Sequence, residues 1–397
     1  MKIQGIHHIS TIVWHAQENV DFYAGVLGLR LLKRTLNFDD HKVYHLYYGN
    51  QNGDLGTAIT FFPWPKNYKE GMIGDGQVAV TSYMIPKGSL NFWQKRLDSF
   101  GVQYETSTRL GDKFLLFKDP HGIKNELIET DVNNVNTFEF NGVTKDVAIQ
   151  GFYGAMMYSS NYEATKAFLI DELGLVFVKE DDEYARFDTG QTPGRYVDVY
   201  KHSTGRSKMG AGSVHHIAFG VKLKEIDTWK ANLIDKGFHV TGVKDRKFFK
   251  SIYFREPGGT IIELATTKPG FKPDKVYLEE PELFMPPHYE HLREEVKAKV
   301  MPLFVRPIDQ LREYPYEDKI GYEVWQKHQE LLTKINYYAK EAKVRQLTDE
   351  ELEERNLLRQ AYVQSIRGAI QENLDNIQVE DEKGNYQALK KKEGPVQ

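Results

Sequence analysis

Gly5-Ile6-His7-His8-Ile9-Ser10, near the start of the chain, and Val214-His215-His216-Ile217-Ala218-Phe219, past its middle, carry the reading of the fold. Each opens a short β-like run. The first leads into a helical stretch over residues 18–27 that ends at Gly28-Leu29. At an offset of 146 (151 − 5), Gly151-Phe152-Tyr153-Gly154-Ala155 opens a similar run, and a helix over 163–173 ends at Gly174-Leu175. A glycine just past a helix supplies the left-handed residue that stops it. The second stretch has its own counterpart 136 to 137 residues earlier, Val78-Ala79-Val80-Thr81-Ser82-Tyr83. Both precede a helix containing a tryptophan, Trp93 or Trp229. Both units close with an acidic-Pro-x-Gly turn: Asp119-Pro120-His121-Gly122 before Asn125-Glu126-Leu127, and Glu256-Pro257-Gly258-Gly259 before Ile262-Glu263-Leu264.

Four units result, over 5–65, 77–130, 148–202 and 213–267, each a strand, a helix and about three strands. Similarity at fixed spacing is evidence about architecture. A lone unit exposes open sheet edges, so the units are expected to pair. The expected fold is α+β: four βαβββ modules forming two curved-sheet barrels, from modules 1 and 4 and from modules 2 and 3. By chain segment, the division is 1–147 and 148–268 (two modules each), an extended linker over 269–320, and 321–397. In the last part, polar helix-prone sequence predicts a hairpin of helices over 322–345 and 349–375. Thr348-Asp349-Glu350-Glu351 has the pattern of a capping box. From Glu380 the tail is charged and expected to be loose.

The 397 residues are 40% apolar and 27% charged, with a net charge of −4. That composition gives no sign of a nucleic-acid or membrane partner. No stretch is long and apolar enough to span a bilayer, and no apolar run follows Lys2 to suggest a secretory signal, so a cytoplasmic protein is expected. Cysteine is absent, which excludes disulfides and thiolate metal sites and leaves His, Asp and Glu as metal ligands.

The two His-His pairs open the first and fourth modules, and Glu263 lies in the last strand of the fourth. Neighbouring side chains in a regular strand face opposite ways, so each pair can send one imidazole into a barrel. Two imidazoles and one carboxylate on one face of a metal leave three positions open, the facial triad suited to Fe(II) and O₂ chemistry. A lone histidine on a strand is more often a hydrogen-bonded core or surface residue. Two pairs at matched positions, with a glutamate at the expected third place, reverse that preference. The repeat offers a control: Gly154 stands opposite His8, Val80 or Ala79 opposite His216, and Glu126 opposite Glu263. Glu126 therefore reads as structural or exposed, and modules 2 and 3 as a metal-free partner barrel. Alternation does not say which histidine of each pair is the ligand.

These motifs resemble the vicinal-oxygen-chelate superfamily of glyoxalases and extradiol dioxygenases. Residues 1 to about 305 are similar to its hydroquinone-type ring-cleaving dioxygenases, the MhqO-like branch. Further motifs carrying the resemblance are Tyr44-His45-Leu46-Tyr47-Tyr48-Gly49, Thr60-Phe61-Phe62-Pro63-Trp64 and Leu283-Phe284-Met285-Pro286-Pro287. The resemblance implies His8, His216 and Glu263 as Fe(II) ligands, and His7, His215, Arg246 and Tyr253 beside the substrate. It implies O₂-dependent cleavage of a small aromatic diol, with a histidine as acid/base and Arg246 and Tyr253 stabilising an oxyanion. Phe61, Phe62, Trp64, Phe248 and Phe249 would wall a flat ring. A glyoxalase-type metal lyase or isomerase and a non-catalytic small-molecule binder are the alternatives. A homo-oligomer is compatible with either. The tail resembles a small bacterial helical-hairpin family typified by YnzC, and its partner is left open.

Overall fold

The computed structural model describes residues 1–64, 68–272, 283–297, 300, 303–308, 311, 334–335, 337–360, 378–380 and 386–388. Met1–Glu317 form one compact unit and Asp318–Gln397 another.

Four βαβββ modules make up the first unit. The first is β1 (Ile6–Trp14), α1 (Ala16–Val20, continued as a wider turn over Asp21–Val26), β2 (Arg30–Asn37), β3 (Asp40–Gly49) and β4 (Ala58–Trp64). The second is β5 (Gln77–Pro86), α2 (Leu90–Ser99), β6 (Tyr104–Arg109), β7 (Asp112–Lys118) and β8 (Lys124–Thr130). The third is β9 (Gly151–Tyr158), α3 (Tyr162–Ala167, continued over Phe168–Glu172), β10 (Val176–Glu180), β11 (Tyr184–Asp188) and β12 (Tyr196–Tyr200). The fourth is β13 (Ser213–Val221), α4 (Ile226–Asp235), β14 (Lys244–Asp245), β15 (Lys250–Arg255) and β16 (Ile261–Thr266). Gly28 and Gly174 take φ of 68° and 72° and stop the first and third helices as expected. Trp93 and Trp229 are both buried.

Two curved sheets result. One runs β14-β15-β16-β13-β1-β4-β3-β2-β17, where β17 is Leu283–Phe284. The other runs β10-β11-β12-β9-β5-β8-β7-β6. Modules 1 and 4 join through antiparallel β1 and β13, and modules 2 and 3 through antiparallel β5 and β9. The segment boundary at 147/148 therefore falls in the connection between β8 and β9, and each sheet draws strands from both segments. Residues 269–320, expected as a linker, contribute more than a connection. β17 pairs parallel with β2, and Gln17 clamps the Phe304 backbone through both its N–H and its C=O, at 2.9 and 2.8 Å.

In the C-terminal unit, residues 337–344 and 349–360 are helical. The remainder of the expected helices over 322–345 and 349–375 falls largely outside the described residues. The capping box is present: the Glu351 N–H donates to Thr348 Oγ1 and the Thr348 N–H to the Glu351 carboxylate, at 3.3 and 2.9 Å. Gln378–Glu380 pairs with Tyr386–Ala388, a short ladder within the stretch read as loose. Among the described residues no helix is long and apolar enough to cross a membrane.

Candidate metal centre

The site is built on two irregularities in the β1–β13 ladder. On β1 the pairing passes from Ile6↔Phe219 to His8↔Ala218, so His7 is an extra residue with no partner. Further along it passes from Ser10↔His216 to Thr11↔Val214, so His215 is the extra residue on β13. Each is a β-bulge, and a bulge breaks the two-residue alternation. Ile6, Ile9 and Val13 consequently pack into the main core, while His8, Ser10 and Ile12 face a cavity. Val214, Ile217 and Phe219 pack into the same core as His216 turns to the cavity. The bulges seat both imidazoles of each pair side by side.

His8, His216 and Glu263 are brought together at one point, all buried. His8 Nε2 and His216 Nε2 lie 3.0 and 2.8 Å from Glu263 Oε2 and 3.3 Å from each other. Three donors bound about 2.1 Å from one octahedral ion, at adjacent positions, would stand about 3.0 Å apart. Neither oxygen of Glu263 has a directed hydrogen bond among the described residues, despite those two close nitrogens. A fully buried carboxylate in that state is far more costly than one bonded to a cation. The donor set therefore fits a divalent metal ion. Burial opposes the charge on Glu263, but the two imidazoles outweigh it and hold the carboxyl well below its usual range.

The outer nitrogen of each of these histidines is met by the histidine preceding it. His7 Nδ1 lies 2.9 Å from His8 Nδ1, and His215 Nδ1 lies 2.7 Å from His216 Nδ1. If Nε2 of His8 and His216 face the ion, their Nδ1–H groups donate to His7 and His215, which fixes both tautomers. Burial pushes His7 and His215 down to about 3, consistent with neutral acceptors.

A cavity of about 390 Å³ opens over the cluster. His215, Arg246 and Tyr253 line it, as do Phe62, Trp64 and Phe249. His7 does not; it lies against Phe249 and Phe271, with ring centres 5.3 and 5.1 Å away. Phe61 packs on Tyr23 in the core, and Phe248 packs on Tyr47 and Phe284. Burial, reinforced by Glu263, raises Tyr253 well above its usual range, so it remains a neutral phenol. Arg246 donates to Asp39 Oδ2 at 2.8 Å.

Among the cavity residues not singled out from the sequence are His45 and Asp39. His45 stacks on Phe62 at 4.2 Å and bonds Tyr47 and Thr60 at 2.7 and 2.9 Å. Asp39, in the β2–β3 turn, is the partner of Arg246. His45 stood inside a quoted motif; nothing local marks Asp39.

Residues 5–127 and 153–264 match the Glyoxalase/Bleomycin resistance protein/Dioxygenase superfamily. The chain belongs to that superfamily. A provisionally named ring-cleaving dioxygenase of Bacillus subtilis, MhqO, is 45% identical over 310 residues, which are 78% of this chain and 99% of the relative. The chlorohydroquinone/hydroquinone 1,2-dioxygenase of Sphingobium indicum is 35% identical over 69% of this chain and 88% of its own length. The crystal structure of a provisionally named Bacillus subtilis dioxygenase matches with a TM-score of 0.74 and 44% identity, covering 77% of this chain and 99% of that one. Residues 330–386 match a family of bacterial proteins of unknown function, DUF896.

Within this superfamily repeat, the second sheet repeats the bulges with other residues. Its ladder skips Ala79 between Val78 and Val80, and Tyr153 between Gly154 and Phe152. Ala79 thus stands for His215, Val80 for His216, Tyr153 for His7 and Gly154 for His8. A Cβ on Gly154 would lie 2.2 Å from the Tyr196 carbonyl oxygen, so no histidine fits there. Glu126 pairs with Ser82 as Glu263 pairs with Ala218. It is buried, which decides for its structural reading. Arg109 forks onto it at 2.9 and 2.8 Å and also reaches Asp198 at 2.7 Å; Asp198 in turn binds Arg186. A guanidinium occupies the place that a metal would take in the first sheet.

Proposed function

We propose that this chain is an Fe(II)-dependent extradiol-type dioxygenase that cleaves the ring of a hydroquinone or catechol with O₂. The observation that carries this reading is the buried His8, His216 and Glu263 cluster, with an unbonded carboxylate, under an aromatic-walled cavity. A bound Fe(II) ion with three open positions would supply activation of O₂ and of the phenol together. The chain's own residues do the rest. Phe62, Trp64 and Phe249 hold a flat ring and exclude water. His215 Nδ1 receives the His216 N–H, which puts the proton of His215 on Nε2 and aims that N–H at a substrate oxygen as a hydrogen-bond donor. Tyr253 and Arg246 direct donors at a developing oxyanion. His7 acts only by orienting His8. The name of the Sphingobium relative supports a hydroquinone as the substrate class.

The test is metal analysis after anaerobic purification, with O₂ uptake measured over a panel of hydroquinones and catechols. Iron near one equivalent and diol-dependent O₂ uptake are expected. His8→Ala, His216→Ala and Glu263→Gln should each lose both. Nickel or zinc with no O₂ uptake would support a glyoxalase-type reaction instead. Ligand binding that survives all three substitutions, with metal content unchanged, would make the protein a binder.

A further inference from the structure

The two sheets answer one question differently: what sits on the buried glutamate. The β14–β15 hairpin repeats the β6–β7 hairpin at an offset of 137 (246 − 109). Lys244↔Ser251 and Asp245↔Lys250 match Ser107↔Phe114 and Thr108↔Lys113. Even the left-handed residues correspond, Lys247 with φ of 67° and Leu110 with φ of 52°. Arg246 and Arg109 thus hold one ladder position, 17 residues before Glu263 and Glu126 respectively. Arg109 seats on its glutamate as a two-pronged ion pair. Arg246 does not: its guanidinium turns to Asp39 at 2.8 Å, over the Phe38 ring at 5.6 Å and beside the Tyr253 phenol. The counterpart of Tyr253 is Leu116, which pairs with Glu126 as Tyr253 pairs with Glu263 and offers no polar atom.

We propose that Asp39 is a positioning residue that holds Arg246 off the metal ligands, so that the guanidinium does not seat on Glu263 as Arg109 seats on Glu126. This rests on the reading of His8, His216 and Glu263 as metal ligands. An arginine seated on Glu263 would satisfy the carboxylate and fill the space between the two imidazoles. It would therefore compete directly with a divalent ion. Asp39 is 60% exposed and its pair with Arg246 is correspondingly modest; loss of Asp39 removes the carboxylate that holds the guanidinium in this seat and shifts Arg246 toward Glu263.

A double-mutant cycle on the metal-free full-length chain, titrated with Mn²⁺ as the probe, tests this. Asp39→Ala should weaken Mn²⁺ binding about fivefold, the scale of one exposed ion pair. Arg246→Met alone should change it little, since the arginine is already parked. The double variant should bind like wild type, and Asp39→Glu should bind like wild type as well. Asp39→Asn repeats the experiment if Asp39→Ala loses its far-ultraviolet circular dichroism. Additive effects would mean that Asp39 acts only through its charge and would overturn the proposal, as would an unchanged Asp39→Ala. Failure of wild type to bind Mn²⁺ would instead overturn the reading of the metal ligands, and this proposal with it.

Discussion

His215 separates two contributions a histidine can make to a metal site, as ligand and as the orienter of a ligand. His215→Phe retains the ring and its bulk at the bulge but removes the nitrogen 2.7 Å from His216 Nδ1. His216 then keeps its place and loses the acceptor that fixes its tautomer. Metal binding should weaken roughly 10- to 100-fold, measured by titration, without the complete loss expected of His216→Ala. An unchanged affinity would show that the pairing at Nδ1 does not matter. At this scale the sequence offered the residue types and their spacing, but not which histidine of each pair faced the cavity. Strand alternation is a rule for regular ladders. His7 and His215 are the two positions where the ladder is irregular, and a bulge depends on the opposite strand, some 200 residues away. Asp39 was illegible for a similar reason, since its meaning lies wholly in Arg246, 207 positions on.

At the scale of elements, the repeat explains how one hairpin serves two ends. In the second sheet Arg109 joins Glu126 and Asp198, and Arg186 joins Asp198 to Asp112 and Tyr153. Arg109→Met removes the central cation and leaves two buried carboxylates without it. A loss of roughly 3–5 kcal/mol is expected in denaturant unfolding, because a stranded buried charge costs far more than an ion pair contributes. Metal content per folded chain should not change, since no atom of the first-sheet cluster is touched. A coincident loss of metal would contradict the separation of the two sheets. Helices, their glycine stops and the acidic-Pro-x-Gly turns were legible, because local backbone chemistry sets them. The arginine cluster was not, although its signal was present: Arg109 precedes Glu126 by the same 17 residues that separate Arg246 from Glu263.

At the scale of the whole chain, the proposed ligand set requires that the chain be continuous, or at least reunited, to hold its ion. His8 comes from the first module and His216 and Glu263 from the fourth, and the two modules are joined by the pairing of β1 with β13. The second sheet likewise needs β5 from the first half and β9 from the other. A fragment of residues 1–147 therefore holds one of the proposed ligands and the unpaired edges of β1 and β5, and residues 148–397 hold the other two and the matching edges of β13 and β9. Neither fragment alone should retain Mn²⁺ on a desalting column. Mixed during refolding in equal amounts, they should form a 1:1 complex that binds one ion, because both junctions are strand pairings and the break falls in the connection between β8 and β9. If residues 148–397 alone held the ion as tightly as the full chain, His8 would not be a ligand. If the reunited pair held none, the cleft would need more than these two junctions. The two outcomes separate the ligand assignment from the closure of the sheets on which it depends.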